Sequence, residues 1–212
     1  DGRTFQNPGL LGQMLQQGLI VAAAISVAML VGLMLLNNRL DADATRGEGL
    51  NRIESAESLI NTWLRPLLAL AVFGVYLLLV FWARRVTRNL SFFDRDTLDT
   101  ALWMWVIPLV NVFMVYRHLD RAWKGSDALR RSADWRKGRP DFWNLGFAIL
   151  VVAGFGLIIY GFVLGADTFE AAIDANSFSM IGYALLTVSL LCASKAVGNV
   201  IHRQRTRAET FA

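Results

Sequence analysis

A single cysteine, Cys192, rules out an intramolecular disulfide. It lies inside an apolar run and reads as a small packing residue rather than a reactive thiol. Two histidines and one cysteine argue against a zinc or iron–sulfur cage. Charge is scarce too: 18% of residues are Asp, Glu, Lys or Arg, where soluble domains carry about 25%. No glycine-rich phosphate loop, metal-ligand spacing or Ser, His and Asp cluster appears. The chain therefore reads as a non-enzyme, and a lipid-modifying enzyme is the least favoured class. No cofactor is expected, although bound lipids are.

What the chain has instead is apolar residue, 55% of the total. The charges gather between long uncharged stretches, as in a chain sorted by a bilayer. A helix needs roughly 20 apolar residues to cross the hydrocarbon core. Residues 15–36, 66–83, 143–165 and 176–194 meet that length. Pro66 sits well at a first helical turn, so the second span is placed at 64–83, and the fourth is expected to run on to 200. The chain opens on Asp1, which implies a missing or processed start. No cleavage site precedes the first span, so it is read as a span and not as a signal peptide.

A fifth stretch, 101–116, is short and interrupted by Pro108 and Asn111. Loop charge decides its placement. The segments 37–63 and 166–175 are acidic on balance and read as outside. Arg84, Arg85, Arg88 and Arg95 precede the fifth stretch, and Arg117, Arg121 and Lys124 begin a basic block after it. The tail 201–212 adds Arg203, Arg205 and Arg207. The positive-inside rule puts these blocks in the cytoplasm, with both chain ends, including the segment 1–14. The fifth stretch, 101–117, then enters and leaves on one side. It is a re-entrant hairpin bent near Pro108–Asn111, which is favoured, or a helix lying at the interface. A true fifth crossing would leave one basic block outside. The expected class is an all-α integral membrane protein with four transmembrane helices plus this re-entrant or interfacial segment.

The residues Phe81-Trp82-Ala83-Arg84-Arg85-Val86-Thr87-Arg88-Asn89-Leu90 resemble the Trp…Arg…Arg-Asn-Leu signature of a bacterial membrane family, the domain of unknown function 4328. Trp105-Val106-Ile107-Pro108-Leu109-Val110-Asn111-Val112-Phe113 is similar to its Trp-x-x-Pro-x-x-Asn core, and His118 to Trp123 sits where the family has a short helix ending in Trp. The layout resembles the family over about residues 15–200, with its specific motifs within about 82–123. After Asn111 the family usually carries Arg-Pro-Tyr, and this chain has Met114-Val115-Tyr116. The resemblance implies an architecture and carries no assigned activity.

The spans hold no Asp, Glu or His, which argues against a proton-coupled transporter. Lys195, at the end of the fourth span, is expected to snorkel to the interface. His118 and His202 follow span ends and are expected to be exposed there. Gly161 and Gly165 on the third span suit close helix packing, as do the stripes Gly18, Ala22, Ser26 and Ala24, Ala28, Gly32 on the first. The acidic loop holds Leu50, Ile53, Glu57 and Ile60 at helical spacing, which predicts a short surface helix. The region 84–142 holds four of the seven tryptophans, and Trp143 follows it directly. Indole and guanidinium groups favour the headgroup level, where anionic lipid gathers. Trp82, Arg84, Arg85, Arg88, Asn89, Trp105, Pro108, Asn111, Arg117 and Trp123 are therefore the candidate contacts with lipid headgroups or with other membrane subunits. The pI of about 9.6 reflects these flanks, and no nucleic-acid partner is expected. The functional expectation is an accessory or assembly subunit of a bacterial inner-membrane complex. The alternative is a small transporter or channel built on Pro108–Asn111.

Overall fold

A computed structural model of the chain describes residues 5–46, 60–93, 108–127, 135–164 and 168–211. Among these there are five α-helices and no strand. They are α1 (Gly9–Arg46), α2 (Arg65–Phe92), α3 (Pro108–Gly125), α4 (Phe142–Leu164) and α5 (Phe169–Phe211). All but α3 belong to segments long and apolar enough to cross a membrane. The protein is an all-α integral membrane protein.

The helices outrun the apolar stretches that predict them. α1 has 38 residues and α5 has 43, so they measure about 57 and 65 Å at 1.5 Å per residue. The hydrocarbon core is about 30 Å thick, so polar turns extend beyond it. Residues 37–46, placed in a loop by charge, continue α1, and most of the tail continues α5. Of the short helix expected near residues 48–60, only Ile60 falls within the described residues, and it is buried.

Local chemistry sets the helix starts. Asn7 accepts the Gly9 N–H at 2.9 Å with Pro8 following it, a side-chain cap next to a residue that needs no donor. The Asp141 carboxylate accepts the Asn144 N–H at 3.2 Å and caps α4. Thr168 does the same for Ala171 at 3.1 Å in front of α5. Ahead of α2, Ile60–Leu64 forms a wider π turn. Pro66 cannot donate to the carbonyl four residues back, so a looser turn fits there.

Pro108 is the first described residue of α3, and the helix runs unbroken through Asn111 to Gly125. The bend expected near Pro108–Asn111 is therefore absent from that stretch. Trp105 lies outside the described residues.

The chain forms two compact units, one of residues 1–20, 74–148 and 191–212, the other of 21–73 and 149–190. In the second unit, close helix approach depends on glycine. A Cβ on Gly154 would lie 2.9 Å from the Gly182 carbonyl oxygen, and one on Gly161 would collide with the Ala175 carbonyl. The packing expected of Gly161 is thus present, with Gly154 one heptad before it as its companion; Gly165 lies outside the described residues. Ser26 donates to the Tyr183 carbonyl at 3.0 Å, and Asn37 donates to the Ile173 carbonyl at 3.3 Å. Along α1 the buried positions include Leu15, Leu19, Ala22, Ser26, Met29, Leu33, Leu36 and Leu40. Their alternating spacing of four and three puts them on one face of the helix. Ala24 and Ala28, by contrast, are exposed.

Candidate functional site

The first unit gathers the polar side chains. α2 turns Trp82, Val86, Asn89 and Phe93 inward at the same alternating spacing, and all four are buried. Trp82 is 0% exposed and packs over Gly12, where a Cβ would lie 2.8 Å from the indole nitrogen. Asn89 is 1% exposed. Its amide donates to the Gln6 carbonyl at 2.8 Å and to Gln204 Oε1 at 2.9 Å. Its oxygen accepts the Gln6 N–H at 3.0 Å. Gln204, on α5, donates in turn to the Val86 carbonyl at 3.0 Å. Two amide side chains thus tie α2, α5 and the N-terminal segment together. Phe5 joins the same place, 5.8 Å from Phe92 and 6.0 Å from Phe93 between ring centroids.

α3 presents Met114, Val115, His118, Leu119 and Ala122 to the interior, at spacings of three and four. His118 is 2% exposed, which corrects the expectation of an exposed interfacial ring. It lies one turn past Met114 and one before Ala122, on the helix's packed face. The Thr87 hydroxyl spends its proton on the Ala83 carbonyl at 2.7 Å. Its 3.0 Å contact with His118 Nδ1 is therefore donated by the ring, which sets a neutral tautomer with the proton on Nδ1. Burial, with Arg121 and Arg117 adding repulsion, pushes the His118 pKa down to about 4.

The end of α3 is closed by arginines from α5. Arg207 donates to the Gly125 carbonyl at 2.6 Å and the Asp127 carbonyl at 2.7 Å, and lies 4.8 Å over the Phe93 ring. Arg203 donates to the Trp123 carbonyl at 3.3 Å and stacks 3.2 Å from the centre of its indole. It also lies 3.7 Å from the Asp127 carboxylate. A helix C-terminus carries partial negative charge on carbonyls that lack N–H partners, so cations are favoured there. Asn144 links α4 to α3 by donating to the Tyr116 carbonyl at 3.0 Å. Burial pushes the Asp141 carboxyl up, against the opposing pull of bonds from Asn144 and Asn199 and the charge of Arg203.

The family-like motif on α2 therefore splits into two faces. Trp82 and Asn89 face inward, and their contacts are with this chain, which removes them from the surface set. Arg88 is exposed and Arg84 half-buried on the opposite side of the helix, and Arg85, also half-buried, lies between the two faces. Arg117 is exposed on α3, and Trp123 is half-buried beneath Arg203. Lys195 and His202 are exposed. Gln6, Gln204 and Arg207 were not anticipated. For Gln204 and Arg207 the signal was register: Val197, Val200, Gln204 and Arg207 continue one buried stripe along α5. Among the described residues no group of three or more His, Cys, Asp or Glu side chains is placed to hold a metal ion.

The fold and this polar cluster define a four-span α-helical membrane protein with an added amphipathic helix packed against its polar cluster. Residues 55–201 match the model of the domain of unknown function DUF4328, and the chain belongs to that family. No curated protein and no solved structure matches the chain.

Proposed function

We propose that the chain is a non-catalytic accessory or assembly subunit of a larger protein complex in the bacterial inner membrane, with both ends and the basic region on the cytoplasmic side. One observation carries the reading. The buried polar side chains Asn89, Gln204, His118 and Arg207 bond to groups of the chain itself and hold helices together. Such side chains build a rigid platform rather than a reactive centre. Around the platform lie exposed aromatic and basic side chains suited to headgroups and to neighbouring subunits: Phe81, Arg88, Phe113, Arg117, Phe142 and Trp143. The basic flanks support the cytoplasmic orientation.

Extraction in a mild detergent followed by native mass measurement tests this. A stoichiometric partner polypeptide is expected. A lone 23.6 kDa chain, or a homo-oligomer that passes ions in liposomes, would overturn it.

A further inference from the structure

Residues 5–8 precede α1 and belong to no helix. They are held in a way that ignores most of their side chains. Gln6 is exposed, yet both its N–H and its C=O bond to the one carboxamide of Asn89, at 3.0 and 2.8 Å. An extended residue makes that same pair of bonds with the residue facing it in an antiparallel ladder. Asn89 thus offers a single rung to a passing strand, and bonds of this kind do not read side chains. Selectivity comes from either side of the rung. Phe5 lies 5.8 and 6.0 Å from Phe92 and Phe93, whose own rings meet edge to face. Pro8 is buried, and it keeps Asn7 out of helical conformation.

The receiving half of this contact is fixed without the segment that it grips. Gln204 takes the second Asn89 N–H at 2.9 Å and is itself anchored to the Val86 carbonyl at 3.0 Å. The orientation of the Asn89 carboxamide is therefore set by α2 and α5. Arg207, 4.8 Å over the Phe93 ring, holds the aromatic side in the same way. The segment itself contributes two part-buried backbone bonds and one half-buried ring. A preorganised half and a lightly held half describe a receptor and a replaceable ligand.

We infer that this groove between α2 and α5 is a docking site for an extended segment of a partner polypeptide, with an aromatic residue three positions before a proline. Phe5–Pro8 fills the groove in cis, as a strap that the partner's segment displaces. The occupant is a polypeptide because Asn89 reads an N–H and a C=O of one residue together, and a glycerophospholipid or a soluble anion offers no such pair. On the proposed orientation the groove opens to the cytoplasm. This inference rests on the proposed subunit role and names what the partner must present.

The test uses the full-length chain in detergent and an acetylated, fluorescent peptide of residues 5–9, Phe-Gln-Asn-Pro-Gly, with binding read by anisotropy. The natural chain should bind it weakly, because its own strap competes at the high effective concentration of a tethered ligand. Phe5→Ala with Gln6→Pro strips the ring and the N–H from the strap, and should bind the peptide about tenfold more tightly or better. Changes made in the peptide leave the fold of the chain untouched. N-methylation of its glutamine amide removes one hydrogen bond and should weaken binding about fivefold. Alanine in place of its phenylalanine should weaken it about tenfold. Serine in place of its glutamine should leave affinity within about twofold, since only the backbone is read. Equal binding to the natural and strap-weakened chains, indifference to N-methylation, or no binding would each overturn the inference. In a co-purified complex the Gln6 amide should exchange freely with solvent, whereas the isolated chain protects it. Equal protection in both would overturn displacement by the partner. If no partner co-purifies, the subunit reading falls, and the peptide titration still decides whether the groove takes an extended segment.

Discussion

Asn89→Ala removes the centre of the polar cluster, and its cost follows from the bonds it makes. Three hydrogen bonds disappear: two to the Gln6 backbone and one to Gln204. A typical net hydrogen bond contributes about 1 kcal/mol, and a buried group left without its partner costs about 1–3 kcal/mol more. The Gln6 backbone is only part-buried and can turn to water. Gln204 is fully buried and cannot. The expected loss is about 4 kcal/mol in all. Gln204→Ala should cost about 2–4 kcal/mol, since it loses two bonds and strands half of the Asn89 amide. Because each substitution orphans the other side chain, the double variant should be less damaging than the sum by about 1–2 kcal/mol. Reversible unfolding in mixed micelles, followed by circular dichroism, measures all three. Hydrogen exchange at the Gln6 amide gives a local reading and should accelerate in Asn89→Ala. Additivity within about 0.3 kcal/mol would refute the reasoning, because independent sites add.

Other consequences are as concrete. Arg207→Met should uncap the last turn of α3 and cost about 2–3 kcal/mol, with amide exchange rising first around Gly125. Gly154→Ala should destabilise, because its methyl group meets the Gly182 carbonyl at 2.9 Å, while Gly156→Ala meets nothing and should stabilise by about 0.5–1 kcal/mol through helix propensity; thermal unfolding of the two variants compares them directly. His118 has a folded pKa of about 4 against 6.5 for the free side chain, so the unfolded chain binds the proton first as pH falls. The contribution is whole above pH 6.5, shrinks as pH drops towards 4, and amounts to about 3 kcal/mol. Stability measured from pH 7.5 to 4 should fall less steeply in His118→Asn, which keeps an N–H donor without the titration.

The spans were legible because lipid demands long uncharged runs, and no other environment selects 15–36 or 143–165 so plainly. Helix ends were not, because hydropathy reports where lipid stops and not where hydrogen bonding stops. Asn37, Asn38 and Arg39 end the apolar run yet continue α1. The packing seam from Leu15 to Leu40 was obscured for a related reason. In a soluble helix the outer face would be polar and the seam would stand out. Here Val27, Val31 and Leu35 on the lipid side are as apolar as the seam itself.

The candidate site was half legible. The family-like motif located the right stretch of α2, but reading it as one surface merged two faces. Trp82 and Asn89 fall on the line of Val86 and Phe93, while Arg84 and Arg88 fall on the line of Leu77 and Phe81. Helical spacing alone separates them. His118 was misplaced because its position just after an apolar stretch suggested an interface, whereas its register with Met114 and Ala122 points inward. The pairing of Asn89 with Gln204 joins residues 115 apart, and no local pattern announces such a contact.

The four-crossing arrangement underlies every functional statement above, and side-specific cysteine labelling tests it most directly. With Cys192 replaced by Ser, single cysteines at the exposed positions Thr45, Arg139 and Thr206 are challenged in intact cells with a reagent that cannot enter the cytoplasm. Thr45→Cys should react at once. Arg139→Cys and Thr206→Cys, separated by the two crossings of α4 and α5, should react only after the membrane is opened. Labelling of Arg139→Cys in intact cells, as Thr45→Cys is labelled, or of Arg139→Cys and Thr206→Cys from opposite sides, would contradict the arrangement.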